Sequence, residues 1–547
     1  MQRAVVKAHF SYKVKLYLYG TNIKRFMKKL IFNLLLCFSL INVAGAQSIV
    51  YADVNNTDVP KMNFEIIGKL ASNYLIYKEV KGSHQIAVFN ENMQQLQTVP
   101  ITLLPKKNEL LDVSFFTFSN FAYLVYQFQQ GNIVFCNAAR VEANGSILQA
   151  PVVLDTTMIA YKADRKIYTI IQNSDRSKLA VFKINKKDRA LHLFTEKLFD
   201  AALAPLQENR FGVPMKKSGN YLTGYSLTDN GDFAFVKYNR LSSGDIQDAA
   251  LLVKRPDSRE CQERPLSINN LFLDDIKLKA DDANNRYLLT SFYAEKKRGN
   301  IAGLYANAIG IDNLRTVFEK TTPFNEELKK KMSGRANSKT AFNDLFINSI
   351  IIHQNGGFSV AAEALYTTGG GWDRWGYWGG PYGFYGSPYG FYGGGWGWGW
   401  GGYWSPYYYY SPFFYRSYWW GGLGSGYDYV RYNAGNLAVF SFDREGNRVT
   451  ENIIYKNQSE SGTDGTISYQ VLLKDDQMHF VMNEQGKIAD LDDVVITEEG
   501  QLTENEPMEA KDKFINFMPR YGKQVGATTM IIPYLYKRNI SFAKVTF

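Results

Sequence analysis

The sequence predicts an all-β chain of eight four-stranded antiparallel meanders, and three observations lead there. Ile86-Ala87-Val88-Phe89, Leu179-Ala180-Val181-Phe182 and Leu437-Ala438-Val439-Phe440 are near copies of one another. Short β-branched and aromatic runs of this kind form buried strands. Each copy is followed by a polar turn and a further strand, namely Leu96 to Leu103, Leu191 to Leu198 and Val449 to Tyr455. Strands also precede the copies, as in Tyr74-Leu75-Ile76-Tyr77 and Ile167 to Ile171, with one more before each. Helical patterning is confined to Asn325 to Met332, continued by Ser333 to Asn343.

Weaker copies of the unit run along the remaining chain, with first strands starting near Asn63, Asp112, Met158, Asn220, Asp274, Phe346, Ser468 and Ile515. Asn144-Gly145, Asn230-Gly231 and Gly500 fall between strands, where positive φ is needed and Asn or Gly supplies it. The last unit shows three strands, ending in Ile540 to Phe547, and Ile49 to Ala52 supplies its fourth. A four-strand period over residues 47–547 with the chain ends paired resembles the β-propellers, which remove sheet edges by closing a ring. The resemblance concerns the fold alone: no WD dipeptide stands at a blade end, and kelch-type glycine pairs and the sialidase Asp-box are missing. Seven blades with extra strands, or two packed β domains, are the other groupings of the same strands.

The front of the chain has a separate character. Residues 1–46 read as a secretory leader: Met27-Lys28-Lys29, the apolar run Leu30 to Val43, then Ala44-Gly45-Ala46 before Gln47. Met27 is the expected start, with 1–26 an upstream extension. The expected address is export, to the periplasm, the outer membrane or the exterior. Eight of the 62 basic residues lie ahead of Gln47 with no acidic residue, leaving 54 against 52 acidic ones. A body so nearly neutral lacks the clustered charge that nucleic acid requires. Cys136 and Cys261 remain beyond the leader, too few for a disulfide framework, and read as small buried residues.

Residues 369–432 contain all nine Trp of the chain with 15 Tyr, 4 Phe and 20 Gly. Leu423 and Val430 are the only aliphatic core formers there, so this stretch cannot build a close-packed core and is expected to be a disordered loop. It interrupts the connection between the second and third strands of the sixth unit. In propellers such connections open on the face that carries the links between blades. Trp372, Trp375, Trp378, Trp396, Trp398, Trp400, Trp404, Trp419 and Trp420 are therefore the candidate binding residues.

Reactive chemistry finds little support. His84, His192, His353 and His479 are far apart and lack metal-ligand spacing. Asp229 to Asp232 reads as a hairpin turn, and Asp274-Asp275, Asp281-Asp282 and Asp490 to Asp493 match no calcium loop. Gly369-Gly370-Gly371 lacks the Lys of a phosphate loop. No catalytic residue, metal or cofactor is expected. The expected role is a non-catalytic envelope binding or scaffold protein whose aromatic loop meets glycan, the outer-membrane surface, another envelope protein or a second such loop. A glycan-cleaving propeller is the alternative, since paired carboxylates can assemble from different blades. An outer-membrane barrel is the other, suggested by the alternation Ser541, Ala543, Val545, Phe547.

Overall fold

Seven antiparallel sheets, one of them a nine-stranded sheet that carries two blades, make up eight blades in the computed structural model, counted from the chain start as blades 1 to 8. It describes residues 47–547 apart from 56–57, 59–61, 148–149, 164–165, 187, 189, 216–219, 241–244, 269, 334–344, 369–430, 462–464 and 485–489. Ile49–Thr546 form one unit. Blade 1 runs from its first strand Asn63–Leu70 to its outermost Gln95–Pro100, and blade 2 from Leu110–Thr117 to Val152–Met158. Blade 3 spans Thr169–Gln172 to Pro205–Pro214, blade 4 Asn220–Leu227 to Cys261–Pro265, and blade 5 Lys277–Asp281 to Thr316–Pro323. Blade 6 spans Leu345–Ile352 to Arg448–Ile454 and blade 7 Tyr469–Lys474 to Leu502–Glu504.

Blade 8 closes the ring. Its first strand is split into Ile515–Phe517 and Lys523–Gly526 by the turn Pro519–Tyr521, and both pieces pair with Thr529–Tyr536. Asn539–Thr546 follows, and the outermost strand is Ser48–Tyr51 from the other end of the chain. The Ala52 N–H donates to Phe542 O at 2.9 Å and the Tyr534 hydroxyl to Ala52 O at 3.0 Å. The sequence expectation of paired chain ends is met within one residue at each strand.

Hydrogen bonds run from blade to blade around the ring. Thr117 Oγ1 donates to Ile67 O, Gln172 Nε2 to Thr117 O, and Asn173 Nδ2 to Asp229 Oδ1. Asp229 N donates to Asp282 Oδ1, Arg286 Nη1 to Arg444 O, and Gln354 N to Glu498 Oε1. Leu473 N donates to Gln524 Oε1, and Lys523 Nζ to Ile66 O and Ile67 O, which returns to blade 1. Between these links the blades bury apolar side chains face to face: Phe64 and Ile76 of blade 1 meet Ile531 and Phe542 of blade 8, while Phe182 and Phe194 of blade 3 meet Phe233 and Phe235 of blade 4. This is why so many strands are apolar on both faces rather than alternating.

Three details depart from the sequence reading. Met158 was expected to start the third unit but ends the outermost strand of blade 2. The next inner strand is only Thr169–Gln172, because the N–H groups of Ile167 and Tyr168 are taken by Gln127 Oε1 at 3.0 and 2.8 Å instead of a strand. Leu179 to Phe182 consequently lies in the second strand of its blade, whereas the other two copies lie in third strands. Asp274 likewise precedes the true inner strand of blade 5: Leu273 bridges Ile246 of blade 4 and Tyr293 of blade 5, joining the two blades into one sheet. Cys261 is half-buried rather than buried; it and the buried Cys136 are both free.

The strands form separate radial sheets, not the single closed sheet of a barrel, and Ser541, Ala543 and Val545 are buried inside blade 8. Of the expected helical stretch, Glu326–Ser333 is present, capped by Asn325, whose Oδ1 accepts the Leu328 N–H at 2.8 Å, while the expected continuation to Asn343 lies outside the described residues.

Candidate functional site

All nine candidate Trp lie within 369–430, outside the described residues. The structure does define how that segment is rooted. The second and third strands of blade 6, Phe358–Thr368 and Arg431–Phe442, have 11 and 12 residues, more than their neighbours Leu345–Ile352 and Arg448–Ile454 with 8 and 7. They pair from Phe358 with Phe442 to Thr368 with Arg431, with a bulge between Glu363 and Leu365. The overhang of the third strand is covered by Gln458–Ser461, which pairs with Arg431 to Ala434. Thr368 and Arg431 are direct partners, so the segment departs and returns about 5 Å apart. Because strands alternate in direction, this hairpin end lies on the same face as the links between blades.

Beneath the root sits a buried polar network that ties three blades together. Glu363, from the second strand, is fully buried and forms an ion pair with the equally buried Lys456. Ser468 Oγ of the blade 7 entrance donates to Glu363 Oε2 at 2.6 Å, and Asn348 Nδ2 donates to the same oxygen at 3.3 Å. Lys456 Nζ also donates to Gln458 Oε1 at 3.1 Å, an oxygen that accepts Ser468 N at 2.7 Å. Gln458 Nε2 reaches Asn483 O, and Asn483 Nδ2 reaches Phe517 O of blade 8, both at 3.0 Å. Asn436 accepts the Lys456 N–H and donates to Lys331 O at the helix end. Desolvation lowers the Lys456 pKa while the Glu363 carboxylate opposes the shift. Such a network fixes the root in place; its groups are too deep to meet a ligand.

Among the described histidines, His192, His353 and His479 are buried and His84 is half-buried. His353 Nε2 lies 2.9 Å from Ser359 Oγ, which lies 2.8 Å from Ser441 Oγ. A hydroxyl beside an imidazole suggests a nucleophile, but Ser359 and Ser441 are 0% and 1% exposed, so the chain braces a turn instead. Desolvation lowers the His353 pKa, while the charges of Glu498 and Glu499 oppose the shift. On blade 7, His479 Nδ1 is 3.0 Å from Asp493, whose carboxylate also accepts Asn505 Nδ2 at 2.7 Å. His84 Nδ1 meets the Tyr77 hydroxyl at 2.6 Å. Asp229 to Asp232 forms the expected hairpin turn, with Thr228 N donating to Asp232 O at 3.0 Å. Asp229 and Asp282 join blades 3, 4 and 5, and Asp275 pairs with Lys277. Among the described residues no group of three or more His, Cys, Asp or Glu is set to hold a metal.

No family model and no curated protein matches the chain. Solved structures with some likeness include prolyl oligopeptidase B from Galerina marginata, 7% identical over 88% of this chain and 56% of that one, with a TM-score of 0.38. A eukaryotic initiation factor is 8% identical over 91% and 92%, with a TM-score of 0.36. An ulvan lyase of a polysaccharide lyase family is 10% identical over 80% and 92%, with a TM-score of 0.35. The chain spans about half the length of the prolyl oligopeptidases it matches, and at these identities none of the three carries a residue role over to it.

Proposed function

We propose that this is an exported, non-catalytic binding or scaffold protein of the cell envelope, in which a rigid eight-bladed ring presents the glycine- and aromatic-rich segment from one face. Ring faces of Trp and Tyr in that segment contact glycan or the membrane surface. The observation that carries the reading is the direct pairing of Thr368 with Arg431, which lets blade 6 close without the residues between them. A second support is the inward use of His353, His479 and the Glu363–Lys456 pair, which brace strands and turns within blades 6 and 7 and, through Ser468, join those two blades.

The test compares three proteins: the parent, one with 369–430 replaced by a short Gly-Ser linker, and one with all nine Trp changed to Ser. The melting temperature should hold within about 2 °C, since no core is removed. Retention on isolated envelopes should fall at least about ten-fold, since losing even three ring contacts at about 0.5–1.5 kcal/mol each is enough. Unfolding on deletion, or equal retention of all three proteins, would overturn the proposal.

A further inference from the structure

The entrance to blade 8 and that blade's second hairpin place a basic and aromatic patch on the face from which the segment is rooted. Phe514, just ahead of the inner strand, is 49% exposed. Its backbone is fixed: Asp512 Oδ1 accepts the Phe514 N–H at 2.9 Å and Oδ2 accepts the Tyr536 hydroxyl at 3.1 Å. The Phe514 N–H above all holds the Asp512 carboxyl below its ordinary pKa. Lys513 and Lys537 set their ammonium groups 5.3 and 5.6 Å from the Phe514 ring centre, and Lys537 is also 5.3 Å from that of Tyr536. Lys511 Nζ is 4.4 Å from the ring centre of Tyr51. Lys537 takes a positive φ of 58° at the hairpin tip, with the exposed Arg538 beside it.

Residues 511–514 and 536–539 thus carry four cations and one carboxylate, and that carboxylate already accepts two internal bonds. Glu506 and Glu509 flank Met508, which pairs with Leu491 and so belongs to the blade 7 side of the link. An exposed phenyl flanked by the Lys513 and Lys537 ammonium groups suits a partner that offers apolar depth beneath anionic groups. A sugar would need the space over the Phe514 ring that the ammonium groups occupy. A bilayer interface needs only the ring edge and receives the cations at its phosphates.

We propose that this patch docks the propeller face onto a bilayer containing anionic phospholipid, with Phe514 entering at headgroup level and Lys511, Lys513, Lys537 and Arg538 facing phosphates. The inference shares a face with the function proposed above but none of its residues, so each fails independently of the other. Co-sedimentation would be measured with phosphatidylcholine vesicles and with vesicles that also contain phosphatidylglycerol. The proteins are the parent, the 369–430 linker variant, F514S, and the combined K511Q/K513Q/K537Q/R538Q variant, with melting curves to confirm folding. Partition onto anionic vesicles should fall about five-fold per charge removed, equivalent to about 1 kcal/mol for each basic residue. It should fall with added salt, drop in F514S, and retain a difference between neutral and anionic vesicles in the linker variant. Equal partition of the parent onto both vesicle types, or an unchanged combined variant, would overturn the proposal. So would retention on a sulfated polysaccharide with no vesicle binding.

Discussion

His192 shows how a single buried ring sets a pH dependence. It lies in the third strand of blade 3 opposite Val213, 8% exposed, and desolvation first, then the Lys186 charge, lowers its pKa to about 4. An unfolded histidine titrates near 6.5, so between those values the unfolded chain binds the extra proton and the folded chain does not. Stability from this group is present above about pH 6.5 and is lost as pH falls toward 4. The expected loss is about 1–2 kcal/mol after allowing for solvent that still reaches the ring. His192→Gln should flatten that part of the profile, read as denaturation midpoints at pH 7 and pH 4.5; equal slopes in both proteins would show that another group is responsible.

At the scale of elements, the root of the aromatic segment depends on Glu363 and Lys456 acting together. Lys456→Met alone strands a buried carboxylate and should cost about 3–5 kcal/mol, whereas Glu363→Leu with Lys456→Met should lie much closer to the parent. Urea unfolding of the two single variants and the double variant measures the coupling, and additive effects would contradict it. None of this was legible beforehand, since the partners are far apart in sequence and meet only where the chain leaving the outermost strand of blade 6 folds back over its second strand. The strand copies at Ile86 and Leu437 were legible because the third strand of a blade is buried on both sides and tolerates only short apolar runs. The copy at Leu179 misled because a second strand meets the same demand, so composition alone does not number the strands within a blade. Phe514 and Lys537 likewise gave no signal, being brought together by the meeting of a link and a hairpin tip.

For the whole molecule, the pairing of Ser48–Tyr51 with Asn539–Thr546 predicts one cooperative ring. Removing residues 539–547 strips blade 8 of a central strand and separates Ser48–Tyr51 from its partner. One transition at a markedly lower temperature is expected, seen alike by far-ultraviolet circular dichroism and tryptophan-independent calorimetry. Loss of only the blade 8 signal, with the remainder melting unchanged, would mean the blades behave as separate units. Period, strand count and closure were readable from the sequence because each follows from local patterning repeated along the chain. The merging of blades 4 and 5 through Phe272–Leu273 was not, because it rests on a two-residue bridge.

The closing strand also orders events in time. Among the described residues Ser48–Tyr51 is the first strand to emerge during synthesis, and its neighbour Asn539–Thr546 is the last. Joining ends separated by nearly the whole chain would cost about 5 kcal/mol of loop entropy in a single step. Assembly blade upon blade brings the ends together gradually, so that the final pairing spans only the gap of one missing blade. Until then the leading strand is an exposed edge, open to any other strand that passes. That exposed edge persists until blade 8 is complete, so misjoining at it is a hazard that the final pairing removes.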